Sequence, residues 1–185
     1  PYEVLYTRWL PYDDVLRLKL VEEMVEVYYN SNQFGKTLRA IEKLFDNPFA
    51  LYEALGAFYD KKGYMDISHT RIRRYEILQE FLQEYVDEEQ MDYYRQLMIC
   101  DLYARENMKP RPAWAKDLKA YKRDIREFYL KEEETHEYLP EYEGYDEKQL
   151  ARMTHLERMD YDPDTGVREP CWILFDYRSR DVLTC

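Results

Sequence analysis

The sequence predicts a mainly α-helical fold, with about six packed helices and a small C-terminal β-hairpin. Only 5 of the 185 residues are glycine, and the abundant Glu, Lys, Arg and Leu favour helices over turn-rich sheets. Apolar residues recur at helical spacing through most of the chain, whereas strand-like runs occur only near its two ends. We therefore expect helices to form the core.

The composition restricts the classes of function. Hydrophobic residues make up 45% of the chain and charged residues 35%, which is typical of a soluble globular domain. The net charge of -11 argues against nucleic acid as a partner, because phosphate recognition requires concentrated Lys and Arg. No apolar run of about 18 residues exists to span a membrane. Cys100, Cys171 and Cys185 are too scattered for a disulfide framework, so we expect a cytoplasmic protein.

The first ten residues resemble a connection from another domain. The chain opens with Pro1 rather than methionine and enters a strand-like run at residues 2–7. We expect residues 1–10 to be a strand-like linker from a missing upstream domain. On this hypothesis the chain is an excised part of a longer protein.

Four helices are predicted in the first half of the chain. In order, they run from Pro11 to about Tyr29, from Gln33 to Phe45, from Pro48 to just before Gly63, and from Thr70 to Val86. Asp46 or Asn47 is the predicted N-cap of the third helix, where Pro48 suits the first position. Ser68 is the predicted cap of the fourth.

The most apolar helix is predicted at the centre of the chain. Asp87 and Gln90 have the spacing of a capping box at its start. Residues 97–104 are apolar on every side of a helix apart from Asp101, which indicates burial among other helices. Prolines at positions 110 and 112 should end the helix near Asn107.

The last third of the chain changes from helix to strand. A sixth helix is predicted from Ala113 to about Lys131, followed by an acidic loop and a short helix near Glu147–Met153. The runs HLERMDYD and PCWILFDYR flank a turn at Pro163–Gly166 and predict a β-hairpin. This divides the chain beyond the linker into a helical domain at residues 11–153 and a β-hairpin appendage at residues 154–185.

No recognised catalytic motif is present, and the most conspicuous polar group is Asp101. Arg105 lies one turn further along the same helix face. The two residues form either a catalytic acid with its tuning cation or a buried ion pair that fixes helix packing, and we favour the ion pair. If any polar group acts chemically, the candidates are Asn30, Asp101, Arg105 and Asn107.

Two other groups of residues also have alternative interpretations. Arg71, Arg73 and Arg74, beside His69, are suited to an anionic ligand, but pairing with the chain's many carboxylates is the more ordinary role. The 20 tyrosines and 3 tryptophans are suited to a ligand pocket or a partner interface. Helical spacing assigns most of them to the core instead.

Four stretches of the sequence resemble one known family. They are LRLKLVEEMVEVYYNSNQFGKTL at residues 16–38, SHTRIRRYEILQEF at 68–81, DLYARENMKPRPAW at 101–114 and ILFDYRSRD at 173–181. Together they are similar to the uncharacterised C-terminal helical domain of bacterial cobalamin-binding radical SAM proteins. The resemblance covers nearly the whole chain.

The resemblance implies that the partners of this domain are the upstream cobalamin-binding and radical SAM domains of the same chain. A 4Fe-4S cluster, S-adenosyl-L-methionine and cobalamin are expected in that parent protein. The family's cluster motif is Cys-x3-Cys-x2-Cys, and the three cysteines here do not have that spacing. No catalytic, cofactor-binding or metal-binding residue is therefore assigned to this fragment.

Three hypotheses of function follow. The leading one is a non-catalytic accessory domain that packs on a radical SAM barrel and shapes or closes its substrate site. The alternative is a freestanding helical module that binds a protein partner through aromatic patches. The third is a small enzyme that uses Asp101 and Arg105 in a pocket.

Overall fold

The computed structural model describes residues 11–108 and 110–178. Its elements are α1 (Tyr12–Met24), α2 (Gly35–Ile41), α3 (Pro48–Lys62), α4 (Arg71–Leu82), α5 (Glu88–Arg105), α6 (Lys122–Thr135), α7 (Glu147–Met153), β1 (Thr154–Met159) and β2 (Cys171–Asp176). The predicted fold class, mainly α with a small C-terminal hairpin, is confirmed. The predicted strand at residues 2–7 lies outside the described residues. The chain forms two compact units, residues 1–94 and 95–185.

In the first unit, α1 continues directly into a π-helix at Val25–Asn30. This segment places the Tyr28 side chain in the core, where its ring packs against Phe34 with centroids 4.9 Å apart. The Tyr28 hydroxyl lies 2.6 Å from the Tyr59 hydroxyl of α3. Burial is the largest cause that raises the pKa of Tyr28, so the pair is held as neutral hydroxyls.

The capping residues at the two ends of α3 are those predicted from the sequence. The Asn47 side chain accepts a hydrogen bond from the Ala50 amide at 2.9 Å, and Pro48 is the first helical residue. Gly63 ends the helix with φ at 69°, a left-handed conformation that glycine adopts without strain. Both ends of α3 are therefore determined by single residues.

The prediction of Ser68 as the cap of α4 is wrong. The cap is Thr70, whose side-chain oxygen accepts from the Arg73 amide at 3.2 Å. The residues before it belong to a loop, in which His69 Nε2 lies 2.9 Å from the Tyr64 carbonyl. A cap needs its side chain next to the first free amides, and Ser68 is two residues too early for that.

The predicted capping box of α5 is confirmed. Asp87 accepts from the Gln90 amide at 2.8 Å, and Gln90 accepts from the Asp87 amide at 3.2 Å. Most of the apolar residues predicted to be buried in this helix are buried, including Leu97, Met98 and Leu102, whereas Ala104 is exposed.

The predicted sixth helix begins nine residues too early, because the segment before Lys119 is an ordered loop. The Arg111 Nε atom donates to the Lys116 carbonyl at 2.9 Å, which holds the loop around the guanidinium group. The Asp117 side chain then accepts from the Lys119 amide at 2.7 Å and starts a 3-10 turn that leads into α6. These contacts replace the helical hydrogen bonds that the apolar spacing predicted.

The acidic segment after α6 is packed against the second unit's core. Glu132 accepts hydrogen bonds from the backbone amides of Tyr138 and Leu139 at 2.9 and 3.1 Å. Leu139 and Tyr142 are buried, and the Tyr142 hydroxyl donates to Asp176. The core cluster here contains Tyr129, Leu139, Tyr142, Leu150 and Leu156.

The C-terminal strands form the predicted hairpin. β1 and β2 are antiparallel, with Thr154 opposite Asp176 and Met159 opposite Cys171. The connecting turn is organised by Asp162, whose carboxylate accepts from the Thr165 amide at 2.7 Å. β1 lies mainly in the interior, whereas β2 is half-buried to exposed.

Candidate functional site

The second unit contains an ion pair between a loop and the hairpin. The Arg111 guanidinium donates two parallel hydrogen bonds to the Glu157 carboxylate, at 2.7 and 2.8 Å. The Glu157 side chain is only 2% exposed and that of Arg111 is 22% exposed. A bidentate pair of this kind fixes both the position and the orientation of the guanidinium.

His155 and Tyr103 complete a cluster around this pair. His155 lies two residues before Glu157 on the same face of β1, and its Nε2 atom is 2.8 Å from the Glu157 carboxylate. The His155 ring stacks on the Tyr103 ring of α5, with centroids 3.6 Å apart and an angle of 5° between planes. We call Tyr103, Arg111, His155 and Glu157 the Arg111 cluster.

The electrostatics of the Arg111 cluster keep Glu157 ionised. Burial opposes ionisation of this carboxyl, but hydrogen bonds from His155 and Arg111 outweigh it and lower the pKa of Glu157. For Arg111, burial also disfavours the charge, but the hydrogen bonds to Glu157 raise its pKa. Since a carboxylate can only accept, His155 donates the Nε2 proton to Glu157.

The segments around the cluster hold it in place. Asn107 donates from its side-chain amide to the carbonyls of Arg152 and Thr154, at 3.1 and 3.3 Å, where α7 meets β1. The Tyr177 hydroxyl donates to the Tyr103 carbonyl at 2.7 Å. Contacts from the segment after α5, from the start of β1 and from the residue after β2 therefore hold the cluster in position.

A pocket of about 410 Å³ adjoins the cluster between α6 and α7. Its floor is apolar and is formed by Leu118, Ile125, Tyr129 and Ala151. Its basic lining residues are Arg111, Lys119, Lys122, Arg126 and Lys148, and its acidic ones are Asp117 and Glu147. We call this cavity the α6–α7 pocket. Its volume is within the range of small-molecule sites.

Arg111 is the one residue that the Arg111 cluster and the α6–α7 pocket share. His155 does not line the pocket, so its ring has no access to a ligand there. The cluster therefore orients Arg111 and joins the loop to β1, whereas the pocket supplies the space and charge for binding. In the described part of the chain, no group of three or more His, Cys, Asp or Glu residues is arranged to hold a metal ion.

A family model matches residues 1–175, and its description is "Protein of unknown function (DUF4080)". The chain belongs to this family. No curated protein and no solved structure matches it. Within the described residues of this DUF4080 domain, none of the helices has the length and apolar character needed to cross a membrane.

The four residues predicted as polar candidates are dispersed in this DUF4080 domain. Asn30 belongs to the first unit, where its side chain donates to Glu26 at 2.7 Å on the surface. Asp101 and Arg105 are half-buried and one turn apart on α5, and neither lines the α6–α7 pocket. Asn107 has the structural contacts to the α7–β1 junction given above.

Within the basic group near His69, Arg73 pairs with carboxylates of the same unit, which is the more ordinary of the two roles considered for this group. This side chain donates to Glu80 at 2.8 Å, to Glu76 at 3.2 Å and to the Tyr64 hydroxyl at 3.1 Å. Its charge is therefore used inside the first unit rather than offered to an anionic ligand.

Sequence reasoning missed the residues that form the site. Arg111 lies between two prolines that were used only to end a helix, and Glu157 lies 46 residues further along the chain. The available signal was the His-x-Glu spacing at residues 155 and 157, which puts both side chains on one face of a strand. The pocket cations come from a loop and two helices, so no local motif marks them.

Proposed function

We propose that this chain is a non-catalytic accessory domain of a cobalamin-binding radical SAM protein, and that it packs on the barrel and shapes or closes its substrate site. The support is the resemblance of four stretches to the C-terminal domain of such proteins, together with the α6–α7 pocket, to which Arg111 of one of those stretches contributes. On this proposal the 4Fe-4S cluster, S-adenosylmethionine and cobalamin are bound by upstream domains of the same cytoplasmic chain.

The observation that carries the proposal is a contact between two of the stretches that resemble the family. Residues 101–114 supply Tyr103 and Arg111, and residues 173–181 supply Phe175, whose ring centroid is 6.3 Å from that of Tyr103. Tyr103 and Arg111 belong to the Arg111 cluster, and the Phe175 ring also lies 6.1 Å from that of His155. Of these residues, Arg111 also lines the α6–α7 pocket. The motifs of the resemblance therefore support a binding cavity rather than a set of reacting groups.

The first test is the sequence of the native gene upstream of the codon for Pro1. An in-frame Cys-x3-Cys-x2-Cys motif, preceded by a cobalamin-binding region, is the expected result. A start codon at this position would overturn the proposal, and the protein-interaction module would become the leading hypothesis. This test does not require the substrate to be known.

The second test compares amide hydrogen exchange in the full-length protein and in the isolated 185-residue chain. If the domain packs on the barrel, a contiguous set of surface amides will exchange more slowly in the full-length protein. The buried amides of α5 serve as the internal control, since they are protected in both samples. Equal exchange everywhere would exclude packing on the barrel. Full substrate turnover after deletion of residues 10–185 would exclude a role in shaping or closing the substrate site.

A further inference from the structure

We propose that the α6–α7 pocket binds a small organic anion, namely a compact apolar or aromatic body that carries a phosphate or carboxylate group. This inference concerns the pocket of this chain itself and does not depend on the proposed link to a radical SAM enzyme. It rests on the charge, the free cations, the apolar floor and the size of the cavity.

The charge of the pocket is opposite in sign to that of the chain. Acidic residues outnumber basic ones by 38 to 27 in the whole sequence. In the pocket lining the order is reversed, with five basic side chains against two acidic ones. A concave surface with clustered cations concentrates the field and attracts anions even when the protein is acidic overall.

Two of these cations are available to a ligand. Arg111 is held by Glu157, Lys119 pairs with Asp117 at 2.8 Å, and Arg126 lies 3.7 Å from Glu147. Lys122 and Lys148 are exposed and form no salt bridge with any described residue, and Lys122 adds only a minor electrostatic contribution to the lowered pKa of Asp117. They come from α6 and α7 respectively, so an anion can be held from both sides of the pocket.

The floor requires a ligand with an apolar part. Tyr129 belongs to the buried cluster of the second unit and Ile125 packs against that cluster, so the apolar floor is part of the packed core. The Tyr129 hydroxyl lies 3.0 Å from the Thr154 hydroxyl in the interior. The aromatic ring of Tyr129, rather than its hydroxyl, therefore forms part of the apolar floor. Inorganic phosphate alone would leave this floor in contact with water.

The probe for this site is 1-naphthyl phosphate, and its uncharged analogue is 1-naphthylmethanol. Binding to the 185-residue chain is measured by isothermal titration calorimetry at low and high salt. We expect saturable 1:1 binding of the phosphate, weaker binding at high salt and no detectable binding of the alcohol. 1-Naphthoate and inorganic phosphate are then used as competitors, to distinguish a carboxylate ligand from a free phosphate ion.

A matched pair of double variants tests the location. Lys122→Gln with Lys148→Gln should weaken binding about tenfold, because two charged contacts to the ligand are lost. Lys43→Gln with Lys61→Gln removes the same charge from exposed positions in the first unit and should leave binding unchanged. Ala151→Phe, at an exposed position of the apolar floor, should block the site while leaving the lysines in place.

Four results would each overturn the inference. They are the absence of saturable binding, equal binding of the alcohol, equal weakening by the control pair, and unchanged binding in Ala151→Phe. Circular dichroism of each variant establishes that the fold is retained. A failure of this test would leave the upstream-gene test of the proposed function unaffected.

Discussion

Arg111→Ala is the substitution that tests the Arg111 cluster most directly. It removes the two hydrogen bonds to Glu157, at 2.7 and 2.8 Å, and leaves a carboxylate whose side chain is only 2% exposed. Breaking a buried ion pair in this way costs about 3–5 kcal/mol, because the remaining charge is uncompensated. Since His155 still contacts Glu157, we expect a loss near the lower limit, about 3 kcal/mol.

The assay is urea unfolding followed by tryptophan fluorescence. Two of the three tryptophans, Trp114 and Trp172, belong to the second unit, so the signal reports mainly on the unit that contains the substitution. A loss of about 3 kcal/mol lowers the midpoint by roughly 1–3 M urea, given typical denaturant slopes. The control is Arg123→Ala, which removes an exposed pair with Glu127 and should leave the midpoint unchanged.

A double variant separates the ion pair from simple packing. Arg111→Met together with Glu157→Leu replaces both charges with apolar side chains of similar size, and most of the lost stability should return. If Arg111→Ala shifts the midpoint no more than Arg123→Ala, the pair does not stabilise the unit. If the double variant is less stable than Arg111→Ala, the cost does not come from an uncompensated charge.

The dependence on pH gives a second test of the same pair. Because the pKa of Glu157 is lowered in the folded state, its contribution to stability is present above the ordinary value of 4.5 and is lost as the pH falls through the folded-state pKa. The difference in unfolding free energy between the wild type and Glu157→Gln should therefore be constant near pH 7 and shrink below pH 4.5. A difference that grows on acidification would contradict the reasoning.

Two further predictions concern the first unit. Gly56→Ala should lower the stability by about 1 kcal/mol, because the new Cβ would lie 3.0 Å from Leu20 Cβ, whereas Gly35→Ala meets nothing within 4 Å and should be neutral or stabilising in thermal unfolding. Thr70→Ala should cost about 1 kcal/mol through loss of the α4 cap, whereas Ser68→Ala, the residue that the sequence favoured, should cost almost nothing in urea unfolding followed by circular dichroism.

The features that sequence reasoning predicted are those determined by neighbouring residues. Asn47, Gly63 and the pair Asp87 and Gln90 act within one helical turn, so the ends of α3 and the start of α5 could be read directly. The hairpin was also predictable, since its two runs and its turn are contiguous in sequence.

The features that sequence reasoning missed depend on contacts between distant residues. Leu118 and Tyr121 have helical spacing with the residues of α6, but Arg111 holds the preceding loop through the Lys116 carbonyl. Periodicity cannot report that competing contact, because Arg111 itself is positioned by Glu157 from β1. Asp101 is flanked by apolar residues in the sequence, whereas Glu157 lies two residues after His155 and directly before Arg158, in a pattern that resembles an ordinary surface charge.

The dual position of Arg111 connects the fold of the second unit to its binding cavity. Glu157 pairs with the arginine charge and fixes the guanidinium at the edge of the α6–α7 pocket. On the proposed binding, the attraction for an anion falls mainly to Lys122 and Lys148, which form no salt bridge with a described residue. Loss of Glu157 should consequently affect stability and pocket geometry together, whereas loss of the two lysines should affect binding alone. Measuring that separation would support the proposal that the buried pair positions the pocket lining at Arg111 and that the exposed lysines select the ligand.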